Sequence, residues 1–526
     1  MKKIPRLADL GPGLRSFALA SFSLLGFVLL VVVLTTRCST VFFASERAGD
    51  TSPAISQAAS RPERTPPDPA KSSPPGASSA DRIVPAALFD LPATRDASTA
   101  DCRFENQHDV VQDGVALTAW HLSYLSWEYV DGALRPIRIR AFVARPKVGT
   151  ARLPAVVQAH GLGGEAEPDS ANVLAARLGM YALAFSGPGS GTTPDSTSEG
   201  RPSSFGSGYQ MFDTRRDVRG SWFWAHTQAA LRALTCLQTR SDVDGGRLGM
   251  TGFSAGAVAS LLAAQVDDRV SAVVPLSGSL AWREAVRSEA AWEHGLLAQS
   301  HLTLTSPEWD FLNRDLLDRM PTHAPPATKV FMINGSTDEF FPLTAHKKTL
   351  QALASHGGSP LNRTSIIGNY DHGCYRQLPP AEAEQVGLRA RLQAEGGQRA
   401  WFRHYLAADP LYPSIPKAPQ VSTFKRGGKT VFAAVVDKGS GLDLHEVRLW
   451  WSSDRSYHYD NLLMTKKSAT RYEKETTVTP DAATIYFVDA QYQTREQPTP
   501  HAFSISSEPV IPAALIPHIR VSGVCQ

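Results

Sequence analysis

Cysteine is scarce, with 5 in 526 residues. There is no C-x-x-C pair and no His/Cys cluster at zinc-finger spacing, which excludes a disulfide-built scaffold and a structural zinc module. An excess of one charge sign is also missing. Lys and Arg total 53 against 50 for Asp and Glu, a net charge of +3, too small to predict a nucleic-acid partner or an electrostatically held membrane surface. Long hydrophobic runs are absent after the first forty residues, and a mean hydropathy of −0.19 excludes a polytopic membrane protein. What remains is ordinary: 42% hydrophobic and 20% charged residues, a globular composition with length for about three domains.

One apolar run stands out, Phe17 to Leu34, preceded by Lys2, Lys3, Arg6 and Arg15. As a helix it spans about 27 Å, close to a hydrocarbon core and longer than a typical cleaved signal. The expected order is a cytoplasmic basic segment (1–16), a transmembrane anchor or signal (17–36) and a linker rich in Pro, Ser and Ala (37–82). The positive flank stays in the cytoplasm and places the rest outside. The expected location is therefore exported and anchored at the cell membrane, in the periplasm or extracellular space. Cleavage would release a secreted form. Large, charged Arg37 before Cys38 argues against lipidation. In an oxidising space, Cys102 and Cys525 at the ends of the folded part are one expected pair. Cys236 with Cys374, or four free thiols, are the alternatives.

From Arg103 to Arg145 short β-type runs alternate, predicting paired antiparallel strands. Continuous apolar runs then alternate with helical stretches: Ala155 to Gln158, Ala171 to Leu178, Tyr181 to Phe185, Ala225 to Leu237, Leu248 to Thr251, Ala257 to Ala264, Val270 to Pro275, Lys329 to Ile333 and Arg363 to Ile367. A helix follows around Ala381 to Leu406. This order predicts an α/β fold, a doubly wound, mostly parallel sheet of about eight strands, whose functional points are the loops at the strand carboxyl ends.

Those loops carry the chemistry. Gly252-Phe253-Ser254-Ala255-Gly256 is G-x-S-x-G between a strand and a small-residue helix, the setting of a nucleophile elbow. A serine needs a base and an orienting acid, and both appear in the order Ser, Asp, His: Asp338 after Lys329 to Ile333, and His372 after the next strand. Ser254 is the expected nucleophile, His372 the base and Asp338 the acid. Glu339 and Asp371 are the nearest competitors for the acid. The expected oxyanion donors are the Ala255 N–H and one from Gly161 or Leu162, in His160-Gly161-Leu162-Gly163-Gly164. The chemistry requires no cofactor, and no metal-ligand pattern suggests one.

These motifs, with Ser186-Gly187-Pro188-Gly189-Ser190-Gly191 and Ser241 to Gly256, resemble the α/β-hydrolases of the acetyl xylan esterase, dienelactone hydrolase and prolyl oligopeptidase group. The resemblance covers roughly Val110 to Pro410. It implies an α/β-hydrolase catalytic domain (83–412) with a cap or lid insertion (279–326), where Trp282, Trp292 and Trp309 lie. Arg215, Arg216 and Arg219, with Trp222-Phe223-Trp224, fall near the mouth of the site, for substrate contact or for packing under a loop. Alternating strands after 412 predict a C-terminal β-sandwich (413–526). Within it Trp450 and Trp451 point to opposite faces, with core or domain packing as the expected use and exposure of one of them to a sugar ring or the neighbouring domain as the alternative.

The resemblance implies a serine esterase, a carboxylic ester hydrolase acting on acetyl or another short acyl ester, carbohydrate-linked substrates included. Its expected partners are a small-molecule or carbohydrate-linked ester and, through the N-terminal anchor, the membrane; no nucleic acid is expected. A prolyl oligopeptidase-like peptidase and a non-catalytic cell-surface binding protein are the alternatives.

Overall fold

In the computed structural model the described residues are 88–517, apart from 148–150, 204–210, 213, 215–216, 288–291, 301, 313–315, 319–327, 356–360, 374–378, 457 and 497–499. The anchor, the linker, Cys38, Arg215, Arg216, Cys374 and Cys525 lie outside them. Among the described residues no helix is long and apolar enough to cross a membrane.

Nine strands form the central sheet: β1 (Arg103–Gln112), β2 (Val115–Val130), β3 (Ala133–Pro146), β4 (Leu153–Ala159), β5 (Tyr181–Phe185), β6 (Val243–Phe253), β7 (Val270–Leu276), β8 (Lys329–Gly335) and β9 (Arg363–Ile367). Their order is β1-β2-β3-β5-β4-β6-β7-β8-β9. The first three are antiparallel, and β3 pairs antiparallel with β5, so the N-terminal strands continue the main sheet and bring it to nine strands. From β5 to β9 every pairing is parallel. β5 is buried along its whole length, as a strand covered on both faces must be, which is why its sequence reads YALAF without alternation.

The covering helices are Pro168–Leu178, Trp222–Gln238, Ala255–Val266, Leu343–Ser355 and Pro380–Tyr405. Trp222–Gln238 is buried from Trp222 to Leu237, and it carries Cys236. The structure pairs Cys236 with Cys102 at a Cα–Cα distance of 5.6 Å, well within disulfide reach. This corrects the expected Cys102–Cys525 bond: Cys102 enters β1 beside this helix, so the bridge ties the first strand to the layer that covers it.

After residue 412 two four-stranded antiparallel sheets follow. One runs β10-β11-β15-β14: β10 (Gln420–Arg426), β11 (Lys429–Val435), β14 (Thr465–Lys466) and β15 (Arg471–Thr476). The other runs β13-β12-β16-β17: β12 (Leu442–Ser452), β13 (Asp460–Leu463), β16 (Ile485–Thr494) and β17 (Ala502–Ser506). Phe432 and Tyr472 of the first share a core with Leu449, Trp451 and Val488 of the second. That core runs on through Trp401 to Phe331 and Val274 of the central sheet.

Trp450 and Trp451 do point to opposite faces of β12, and both are buried. This is the core and domain packing expected of them, and it leaves neither ring for a sugar because each face has its own cover. Trp451 fills the space between the two small sheets, while Trp450 packs with Leu343 and Ile366. A Cβ on Gly368 would stand 2.3 Å from the Trp450 ring, so only glycine leaves room for this contact.

Candidate active site

Ser254 stands at the end of β6, where the strand turns into Ala255–Val266. Its φ of 56° and ψ of −120° lie in a region that non-glycine residues seldom occupy, the strain expected of a nucleophile elbow. The flanking glycines make that turn possible. A Cβ on Gly252 would lie 2.4 Å from the Gly256 backbone, and one on Gly256 would lie 2.1 Å from the Ala159 carbonyl oxygen. The helix N-terminus also directs its positive end at the space in front of the serine.

The turns after β8 and β9 meet this elbow. His372 Nε2 lies 2.9 Å from Ser254 Oγ, and His372 Nδ1 lies 3.0 and 3.1 Å from the two Asp338 carboxylate oxygens. Asp338 Oδ1 also accepts from the Phe340 and Phe341 N–H groups, which fixes the carboxylate in its turn. The three residues expected from sequence are thus brought together, all buried. The competitors for the acid are engaged otherwise. Glu339 accepts the backbone N–H of His372 at 3.0 Å, and Asp371 accepts that of Gly373 at 2.8 Å.

Burial opposes a charged imidazolium at His372, but the Asp338 charge and hydrogen bond, helped by Glu339 and Asp371, outweigh it and raise the pKa above the ordinary histidine value. Burial, with the negative charges of Asp338 and Asp371, pushes Glu339 up to about 7. Phe340 stacks on the imidazole at 4.1 Å between ring centres and keeps water from that face.

On the other side of Ser254 lies the glycine-rich loop after β4. A Cβ on Gly161 would come 3.2 Å from Ser254 Cβ, so the loop passes as close as a backbone can. Leu162 and Ala255 line the same small pocket as Ser254, whereas Gly161 lines a separate cavity with His160 and Phe253. His160 holds the loop: Nδ1 donates to the Gly161 carbonyl at 2.6 Å, and Nε2 accepts from Gly187 N–H at 2.7 Å. Burial lowers its pKa to about 4, so the ring is neutral, as an accepting Nε2 requires. The sequence offered His160 only as the start of a motif; the acceptor role depends on Gly187, 27 residues away.

Short helices Trp282–Val286, Trp292–Gln299 and Pro307–Leu312 occupy the stretch between β7 and β8. They supply Trp282, Glu293 and Leu296 to the pocket beside Ser254, which also receives Phe223. Of the aromatic stretch near the mouth, Phe223 reaches the pocket. Trp222 and Trp224 instead donate to the carbonyls of Pro188 and Leu88. Arg219 is held by Asp217 and lies over the Tyr129 ring, a structural use. Among the described residues no cluster of His, Cys, Asp and Glu could hold a metal ion.

The family model for acetyl xylan esterase matches residues 119–285. No curated protein matches the chain. Among solved structures, an acetyl xylan esterase from Paenibacillus sp. R4 aligns at 18% identity and a TM-score of 0.43, covering 58% of this chain and 92% of that one. Acetyl xylan esterase 1 from Thermoanaerobacterium sp. JW/SL YS485 aligns at 18% identity and a TM-score of 0.40, over 57% and 93% of the two chains. The acylaminoacyl peptidase of Pyrococcus horikoshii aligns at 13% identity and a TM-score of 0.36, over 55% and 56%. With its mostly parallel sheet and its strained serine turn at the end of β6, the chain has an α/β-hydrolase fold, and from β2 to β7 it is similar to the acetyl xylan esterase family.

Proposed function

We propose that the chain cleaves short-acyl carboxylic esters by a serine mechanism with Ser254 as nucleophile, His372 as base and acid, and Asp338 as the orienting group. The observation that carries this reading is the continuous contact from Ser254 Oγ through both nitrogens of His372 to Asp338. Nδ1–H donated to Asp338 leaves Nε2 as the lone-pair nitrogen facing the hydroxyl.

Ser254 Oγ adds to the ester carbonyl while Nε2 takes its proton. The oxyanion is received by the N–H of Ala255 and that of Leu162, preferred over Gly161 because Leu162 shares the serine's pocket. Collapse expels the alcohol, which leaves with the proton from Nε2, and an acyl-serine remains. Water, deprotonated by the same nitrogen, then releases the acid. The pocket beside Ser254 is narrow, with largely apolar walls, which supports a small acyl group. The acetyl xylan esterase match supports acetyl, with a carbohydrate as one form of the alcohol.

The basic segment and apolar run of residues 1–34 support export and retention at the membrane, and the Cys102–Cys236 bond supports an oxidising compartment. Residues 83–412 would then be the catalytic unit, 279–326 its cap and 413–526 a supporting β-module.

The test is fluorophosphonate labelling of the full chain with peptide mapping. Label at Ser254 that disappears in His372→Ala is expected, together with turnover of a short acyl ester. Label elsewhere, or none on folded protein, overturns the assignment.

A further inference from the structure

Beside Ser254 a side chain is buried with nothing to bind. Glu293 is 1% exposed, and neither carboxyl oxygen has a hydrogen-bond partner. A buried carboxyl is ordinarily paired, because leaving it without a partner costs the desolvation of the whole group. Among the described residues the pocket it lines is mostly apolar, with Leu162, Phe223, Trp282 and Phe340 beside Ser254, and holds no lysine or arginine. The surrounding charge has the same sign, since Asp338 and Glu339 both act on Glu293 and burial pushes its carboxyl well above the usual range. The group that would restore balance has to arrive with a substrate.

We infer that this pocket selects esters whose short acyl group carries a protonated amine, received by Glu293 and by the aromatic faces of Phe223 and Trp282. Three features converge on a cation. An ammonium donates to both orphaned oxygens, it offsets the excess negative charge of the site, and aromatic rings attract it through their negative faces. The acyl side is indicated because the leaving alcohol must receive its proton from His372, which does not line this pocket, whereas the oxyanion residues Ala255 and Leu162 do. The space is narrow and excludes a long chain.

This inference rests on the serine mechanism proposed above. Ser254 Oγ bonds to the carbonyl carbon, the alcohol leaves with the proton that His372 removed from the serine, and water releases the amino acid. The amine keeps its proton throughout. An ionised Glu293 pairs with it, so a Glu293 proton is released when the substrate binds to the neutral form.

The test uses the full chain and three methyl esters of matched size: β-alanine methyl ester (cationic), methyl butyrate (apolar) and methyl 3-hydroxypropionate (neutral polar), followed by titration of the acid released. Expected is a kcat/KM for the cationic ester about tenfold or more above methyl butyrate, a ratio that falls to near one in Glu293→Gln and is partly kept in Glu293→Asp. A wild-type ratio of one or less, a ratio unchanged in Glu293→Gln, or a preference for the hydroxy ester overturns it. Should Glu293→Gln not fold, protection of the wild-type serine decides. Propylammonium should slow fluorophosphonate labelling where propanol at the same concentration does not, and equal effects overturn the inference. Labelling by the fluorophosphonate itself separates the two readings: no label means the serine mechanism has failed, and label without cation preference means that only the pocket assignment has.

Discussion

Asn369 and Tyr459 clasp each other across the boundary between the central sheet and the C-terminal sheets. The Asn369 side chain accepts the Tyr459 N–H at 2.7 Å and donates to the Tyr459 carbonyl at 2.9 Å. Its own backbone N–H donates to Ser336 Oγ, and Ser456 Oγ donates to the Ser336 carbonyl. Ser336 begins the turn that carries Asp338, and Asn369, at a φ of 59°, begins the one that carries His372. The loop after β12 therefore braces both turns.

Asn369→Ala should lower stability by about 1–3 kcal/mol, because it strands the Tyr459 backbone groups in a buried place. It should also reduce kcat more than it raises KM, since the turns orient His372 and Asp338 without touching substrate. Denaturant unfolding and steady-state kinetics on one preparation check both effects. Loss of stability with unchanged kcat would make the brace structural only.

Asp338→Asn should leave the fold in place and lower kcat by roughly three to four orders of magnitude, because an amide can donate to Nδ1 and stabilise the wrong tautomer. Glu339→Gln should act far more weakly, as Glu339 holds the His372 backbone rather than its ring. Comparable losses in the two variants would reassign the orienting acid.

The base must be neutral to take a proton, so kcat/KM should rise with pH. Because the His372 pKa is raised, the midpoint should lie above about 6.5. Removing the Glu339 charge removes one cause of that rise, so Glu339→Gln should move the limb to lower pH. Burial and the neighbouring carboxylates push Glu339 itself up to about 7 in the fold, against an ordinary value of 4.5. Between those values the folded state binds more protons than the unfolded one, and Glu339 lowers stability as pH rises through this window. The stability of Glu339→Gln relative to the parent should accordingly grow from about pH 4.5 to 7. Interacting groups share macroscopic steps, so the pair of profiles is the measurement, not one midpoint.

The Cys102–Cys236 bond closes a loop over a sequence separation of 134. Constraining the unfolded chain over such a loop contributes up to about 4–5 kcal/mol. Cys102→Ala should lower the unfolding free energy by a comparable amount and make the denaturation midpoint insensitive to reductant. A variant that still responds to reductant would mean that another pair carries the bond.

The sequence by itself determined the fold class and the chain order of the candidate residues Ser254, Asp338 and His372. Buried parallel strands must be written as unbroken apolar runs, as Tyr181 to Phe185 is, and the tight turn at Ser254 needs the glycines at 252 and 256 where a Cβ would strike backbone. Chain order then placed Asp338 and His372 at later strand ends, because successive parallel strands present their loops on the same edge. Only the tertiary structure decided what depends on neighbours distant in the chain. The partner of Cys102 is Cys236 because a helix lies over the first strand, and no spacing rule encodes that crossing. Alternation put Trp450 and Trp451 on opposite faces, but whether a face meets solvent depends on Gly368 and on the small sheet of Phe432 and Tyr472. Glu293 reads as one acidic residue on a short helix. Its lack of a partner exists only once the cap, the Trp222–Gln238 helix and the Asp338 turn have closed around it.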